Sequence, residues 1–479
     1  MDIAQKAVRG IGWVGLFVGT TKGVRFLTTI ILARLLTPTD FGLVAIGLLA
    51  VNTIAIFRDL GVGQALIHKG GDVKKAANTT FILFPAVGAV LFIIAILAAP
   101  FISGFFNSPD SLPVIRFLSV SLLLVSLGLT PSVLLDKELE FKKQFLPEVG
   151  SMVAYGAIAI SLAFTGYGVW SIVYGKILSL IVWLILIWYI SPWRPKIEFE
   201  WEIAKGLLKY GHHILGATFI MFILTNVDNA FVGKMLGTTM LGFYSMAYTV
   251  SNVPALNVTN LIHRVMFPTY SKLQADEKTL NRIYLKTLKY SSAVAVPITM
   301  GIMVLAPDII STVLGGKWWP ALVPLQILCV AGVLRSIRGS TGVLINAIGR
   351  PDIGKKYLFF ELITLSILIY PLSMYLGVAG TSLAVTIPVL AFALVGFNAV
   401  NNILHIGWGN FFRALKGPYA SSFVMMTVIY VFQQALPFEG FIRLGLLFMV
   451  GGLTYVISVF MISREMYSEA WDILLKLKS

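Results

Sequence analysis

Residues Ala77–Phe101 read ANTTFILFPAVGAVLFIIAILAAPF, 25 residues without one charged side chain. As an α-helix at about 1.5 Å per residue, such a run is long enough to cross a hydrocarbon core of about 30 Å. Similar apolar runs recur along the whole 479-residue chain, which is 57% hydrophobic and only 12% charged, with a mean hydropathy of +0.85. Soluble domains carry about twice that charged fraction. A soluble enzyme, a secreted domain and a disordered chain are thereby excluded. The sequence predicts an all-α polytopic membrane protein with about fourteen spans.

The charges set the orientation. Of the 37 Lys and Arg residues, 25 fall in the two tails and in alternate connections near 67–76, 136–145, 191–210, 267–289, 347–356 and 402–418. The opposite connections hold one, Lys317. The excess of bases marks the cytoplasmic side, so both termini are expected in the cytoplasm. The net charge of +15 then faces anionic membrane lipid, and nucleic acid is not expected as a partner. Lys6 and Arg9 precede an apolar stretch as in a signal peptide, but Lys22 and Arg25 interrupt it, so a retained first helix is expected. The single cysteine, Cys329, excludes an intrachain disulfide.

A repeat appears at an offset of 200. Leu35–Gly42 (LLTPTDFG) faces Met235–Gly242 (MLGTTMLG), and a weaker echo links Gly166-Tyr167-Gly168-Val169 to Gly377-Val378-Ala379-Gly380. Six helices per half is an even number, so the halves share one orientation, as in transporters built from parallel repeats. The expected organisation is an N-lobe at 1–190, a cytoplasmic linker with an amphipathic helix at 191–210, a C-lobe at 211–402, and two further helices with a tail at 403–479. Connections on the outer side are at most about ten residues, and even the longest cytoplasmic one, Pro268–Lys289, has room only for a small charged helix.

Several enzyme-like motifs dissolve in this context. Gly10–Gly15 fits GxGxxG, but it opens a membrane helix and, with Gly19 and Gly23, reads as a close-packing stripe. Gly349–Lys356 lacks the magnesium-binding Ser or Thr of a P-loop, so no ATPase is expected. Asn78-Thr79-Thr80 and Asn257-Val258-Thr259 fit a glycosylation sequon but lie within spans, His212-His213 sits at a helix mouth, and no metal spacing is present.

The informative residues are charges inside spans. Lys22 and Arg25 share a face of the first span, Arg58 and Asp59 lie in the second, Lys176 in the sixth, Asp228 in the seventh, and Arg335 and Arg338 share a face of the tenth. Facing lipid, each base costs roughly 2.5–3.5 kcal/mol on insertion scales. Pairing of Arg58 with Asp59, and of Glu361 with Lys355 or Lys356, is the structural use to weigh. Asp59 and Asp228 are the two acids deep enough to neutralise the bases, which leaves a positive excess. The pattern favours a cationic cavity for an anionic ligand, with Lys22, Arg25, Arg58, Lys176, Arg335 and Arg338 as its bases. Asp228, with Asn226 and Asn229 beside it, is the candidate for coupling to H⁺ or Na⁺. No cofactor is expected.

Leu32–Leu43 (LARLLTPTDFGL) resembles the first-loop signature of the polysaccharide exporters in the multidrug/oligosaccharidyl-lipid/polysaccharide flippase superfamily. Asp59–Ile67, Tyr167–Ser171, Trp193-Arg194-Pro195, Asp228-Asn229, Leu241–Ser245, Val265–Pro268, Ala306-Pro307-Asp308 and Ala347–Pro351 continue the likeness in order along nearly the whole chain. The resemblance implies a Wzx-like flippase of colanic-acid or teichuronic-acid type in the cell's inner (plasma) membrane. It implies a V-shaped pair of lobes and a polyprenyl-pyrophosphate-linked oligosaccharide as substrate. Polysaccharide polymerase and export machinery are the implied partners. The alternatives are a drug/cation antiporter of the same superfamily, which would want acidic cavity residues, and a membrane glycosyltransferase, polymerase or ligase, which would want a large outer loop.

Overall fold

The computed structural model describes the backbone of residues 3–68 and 72–463. It describes their side chains except at 3–15, 17, 68, 210–217 and 253–265. Gly10–Gly15, His212-His213 and Asn257-Val258-Thr259 therefore fall where no side chain is described. The chain forms two compact units, Met1–Gly242 and Phe243–Ser479. Among the described residues every regular element is a helix.

The first unit contains α1 (Ile3–Leu35), α2 (Pro38–Asp59), α3 (Val62–His68), α4 (Val73–Phe105), α5 (Ser111–Lys137), α6 (Phe141–Phe164), α7 (Val169–Ile190) and α8 (Trp201–Met235). The start of α2 is written in its sequence. Thr37 and Asp40 exchange side-chain-to-amide bonds as a capping box, and Pro38 opens the first turn, where its missing N–H costs nothing. Its end is a left-handed Leu60 (φ 50) followed by Gly61 (φ 69). Asp59 Oδ1 then accepts the Gly63 amide at 2.7 Å, which starts α3, and Lys137 Nζ donates to the Leu66 and Ile67 carbonyls at its other end. Expected as one span, residues 41–66 are thus two helices with charged side chains at both breaks.

The amphipathic helix expected within the 191–210 linker does not stand as a separate element. Residues 191–200 are irregular, and the helix that begins at Trp201 runs unbroken to Met235. The irregular stretch is fastened to α4: Asn78 Nδ2 donates to Glu198 at 2.9 Å, Lys75 pairs with Glu200 at 2.8 Å, and the Glu200 amide donates to Thr79. The sequon at Asn78-Thr79 is therefore buried and structural. α8 packs on α2, α3 and α4 and so belongs with the first compact unit, which ends at Gly242.

The second unit contains most of α9 (Thr238–Lys272), then α10 (Glu277–Asp308), α11 (Leu322–Ala347), α12 (Pro351–Leu404), α13 (Trp408–Ala435) and α14 (Phe441–Ile462). The cytoplasmic connection expected at Pro268–Lys289 is largely helical already: only residues 273–276 separate α9 from α10, and Asp276 caps α10 through the Thr279 amide at 3.1 Å. The Thr279 hydroxyl, together with that amide bond, holds the Asp276 carboxyl below its ordinary range. α12 is two spans in one: its arms meet at Gly377, whose φ of 57° and ψ of −136° belong to no helix. Gly168, at the entrance to α7, adopts φ 54° and ψ −134°. The structural equivalent of Gly377 is therefore Gly168 and not Gly166, a correction of two residues to the echo read from the sequence.

Nine helical stretches among the described residues are long and apolar enough to cross a membrane, with both arms of α12 in one stretch. The polytopic helical class holds, while the figure of fourteen spans is not confirmed. Of the stripe expected on α1, Gly10–Gly15 lie outside the described side chains, and at Gly19 and Gly23 an added Cβ would meet no described atom within 4 Å.

Candidate functional site

In the first unit, small residues bring α1 and α7 onto α6. A Cβ on Gly156 would stand 2.7 Å from Thr28 Oγ1 of α1, and one on Gly175 would stand 2.8 Å from Ala159 Cβ. These approaches place Arg25 within electrostatic reach of both Tyr155 of α6 and Lys176 of α7. Arg25 is exposed, Lys176 half-buried, and Lys22, one turn earlier on α1, has an interaction of its own. Two like charges inside apolar helices repel, and an anion between them would relieve the repulsion. The acid that acts on Lys176 is one that the apolar pattern does not single out. Glu148 of α6 accepts the Trp183 indole N–H at 3.1 Å and feels Lys176 and Asp136. It opens the apolar run of its helix, so position alone gave it the look of a boundary residue.

Arg58 and Asp59 interact electrostatically, but Asp59 spends its Oδ1 on the Gly63 amide, and the buried Arg58 Nε has no hydrogen-bond partner. Asp228 of α8 is 3% exposed and accepts the Asn229 amide at 2.8 Å and the Asn229 side chain at 3.2 Å. Asn226 turns instead to the Phe222 carbonyl and the Thr225 hydroxyl. Of the two asparagines, it is Asn229 that supports the acid.

In the second unit Arg335 and Arg338 lie one turn apart on α11. Arg335 donates to Asn252 Oδ1 of α9 and lies over the Tyr248 ring, 5.4 Å from its centroid. Arg338 Nη1 reaches both oxygens of Glu361 on α12, at 2.5 and 2.6 Å. Glu361 therefore pairs with a base assigned to the ligand, not with Lys355 or Lys356 of its own helix. Asp308 also lies in a span: it stands 3.0 Å from Arg443 Nε of α14, and Gln433 of α13 bonds to it at 2.5 Å. With Glu148, Glu361 and Asp308 present, the acids within helices are more than the two counted from the sequence. A cavity of about 520 Å³ among α10, α11 and α13 is lined by apolar residues with Gln326, Thr427 and Tyr430, and none of these bases borders it. No group of three metal-ligating side chains occurs among the described residues.

A many-helix membrane fold with arginines and lysines held inside its spans has known counterparts. The family model described as "Polysaccharide biosynthesis protein" matches residues 31–323. The chain belongs to this family. The polysaccharide biosynthesis proteins similar to it include the lipopolysaccharide biosynthesis protein WzxC of Escherichia coli (strain K12), 27% identical over 441 residues, which cover 91% of this chain and 86% of that one. The teichuronic acid biosynthesis protein TuaB of Bacillus subtilis (strain 168) is 24% identical over 470 residues, 95% of each chain. In fold, this member of the family is similar to a solved structure of the lipid II flippase MurJ in an inward closed conformation. The TM-score is 0.74 with 18% identity, over 94% of this chain and 99% of that one. The family resemblance carried by Leu32–Leu43 and the motifs after it is thus correct.

Proposed function

We propose that this chain is a transporter, not an enzyme, that flips a polyprenyl-pyrophosphate-linked oligosaccharide from the inner to the outer leaflet for export of a cell-surface polysaccharide. The observation that carries the reading is the close packing of α1 and α7 on α6 at Gly156 and Gly175, which leaves Arg25 and Lys176 within electrostatic reach of each other inside apolar helices. A doubly charged pyrophosphate is the ligand that such a pair of bases suits, by point charge from the lysine and forked bonds from the arginine. The names of the relatives and the flippase fold support the same substrate class.

The chain sits in the inner (plasma) membrane with both termini in the cytoplasm, on the strength of the 25-to-1 distribution of bases. The membrane potential then assists export, because moving about two negative charges outward across ~100 mV gains roughly 4–5 kcal/mol. H⁺ or Na⁺ counter-movement through Asp228 adds to it. Polymerase and export proteins receive the flipped unit. The test is deletion of the gene: lipid-linked oligosaccharide should accumulate on the cytoplasmic leaflet, and the wild-type chain should clear it. A deletion strain with a normal leaflet distribution overturns the reading.

A further inference from the structure

Arg338 and Glu361 present a charge pair whose surroundings differ from those of a purely structural bridge. The Glu361 side chain is 9% exposed and that of Arg338 32%, so the acid is enclosed while the arginine keeps an open side. One turn away on the same face of α11, Arg335 pairs with no acid among the described residues: its partners there are the neutral Asn252 and the Tyr248 ring. Among the described residues the two arginines together therefore carry one unit of uncompensated positive charge, with the Arg338 guanidinium half open. No base on α12 competes for the carboxylate, since its ion-pair contact is with Arg338. The other titratable group within about a turn on α12, Tyr357, directs its hydroxyl to the Val395 carbonyl.

We propose that Glu361 is a resident, exchangeable counter-ion of Arg338, which a lipid-borne pyrophosphate displaces, and that the displaced carboxylate takes up a proton from water. The proposal rests on the flippase reading above. Its physical basis is competition for one cation. A guanidinium satisfied by a carboxylate gains little from a phosphate unless the carboxylate loses its charge, and an enclosed carboxylate deprived of its base cannot stay ionised at low cost. Protonation resolves both, so ligand arrival and proton uptake become one event. Arg335, already held by neutral partners, is free to add its charge to the incoming anion without any exchange.

The experiment uses the full-length protein in lipid nanodiscs with geranylgeranyl pyrophosphate as probe. Calorimetric titration in buffers of different ionisation enthalpy, corrected for the probe's own titration, reads protons bound per probe bound. The wild type is expected to take up a proton on binding and to bind more weakly as pH rises. Glu361→Gln is expected to lose that uptake and to bind about tenfold tighter at pH 8, where the wild-type acid competes best. Glu361→Asp, which keeps the charge but shortens the reach, should bind more tightly than the wild type at the same pH and retain uptake. Wild-type protein that binds the probe without proton uptake, or a Glu361→Gln variant with unchanged affinity and uptake, overturns the exchange and leaves the flippase reading standing. Failure of the wild type to bind the probe at any pH overturns both.

Discussion

Thr39 and Thr239, 200 residues apart in the chain, hydrogen-bond hydroxyl to hydroxyl at 2.9 Å. Around them the contact is reciprocal. A Cβ on Gly42 would stand 1.9 Å from the Thr238 carbonyl oxygen, and one on Gly242 would stand 1.9 Å from that of Pro38. The repeat read from the sequence is therefore also a pairing: the first turns of α2 and α9 meet as matched surfaces, as expected of a local two-fold.

Gly42→Ala and Gly242→Ala should accordingly fail alike. Backbone cannot yield as a side chain can, so each substitution is expected to lower stability by roughly 1–3 kcal/mol or more. Gly19→Ala, in open space, should change little. Thermal unfolding in detergent compares the three, and a tolerated Gly42→Ala would refute the close approach.

Arg25→Ala and Arg335→Ala should each reduce transport by about tenfold or more, the worth of a lost charge-assisted contact, with expression near that of the wild type. Lys278→Ala, exposed at the start of α10, should do neither. Arg25→Lys should keep partial transport, because charge survives and the fork does not. Reconstituted leaflet-exchange assays check this. Normal transport in both alanine variants would return these arginines to structural duty.

Arg443→Met should destabilise the α10–α13–α14 packing by about 3–5 kcal/mol, since it strands Asp308 as a buried charge. The double variant Asp308→Asn/Arg443→Met should recover most of that loss. A double-mutant cycle by thermal melting measures the coupling, and simple additivity would show that the two residues do not act as a pair.

A cysteine at Glu439 should react with an impermeant thiol reagent added outside intact cells, and a cysteine at Lys278 should not. Both positions are exposed, and the native Cys329 is buried and silent. Reversed labelling would invert the orientation and the proposed direction of transport.

What the sequence disclosed, and what it withheld, follows the range of the interaction. Thr37, Pro38 and Asp40 announce the start of α2 because a cap involves neighbours in the chain. The apolar runs announce spans because the lipid requirement is local too. The partner of Glu361 was misjudged because Lys355 and Lys356 are near in sequence, whereas Arg338 is 23 residues away and reached only after α11 packs on α12. The pairing of Asp308, named in the sequence only as part of a motif, and the role of Glu148 are hidden for the same reason: each stands near the edge of an apolar run, and only tertiary packing gives it Arg443 or Trp183. The fusion of 201–209 with α8 escaped because an amphipathic stretch reads alike whether it lies free or continues into the next span. The Gly168–Gly377 equivalence required dihedral angles; letters alone offered two glycines at one connection.

The clamp on Asp308 has a consequence for biogenesis. Arg443 follows Asp308 by 135 residues, so at about 5–20 residues per second the ribosome delivers the base on the order of ten seconds after the acid. During that interval α10 has entered the membrane with its carboxylate lacking the base it will hold. Insertion machinery must shelter that group, or it must carry a proton, until α14 arrives. The last hairpin therefore completes the second unit, and a chain truncated before Arg443 should be recognised by quality-control proteases as unfinished.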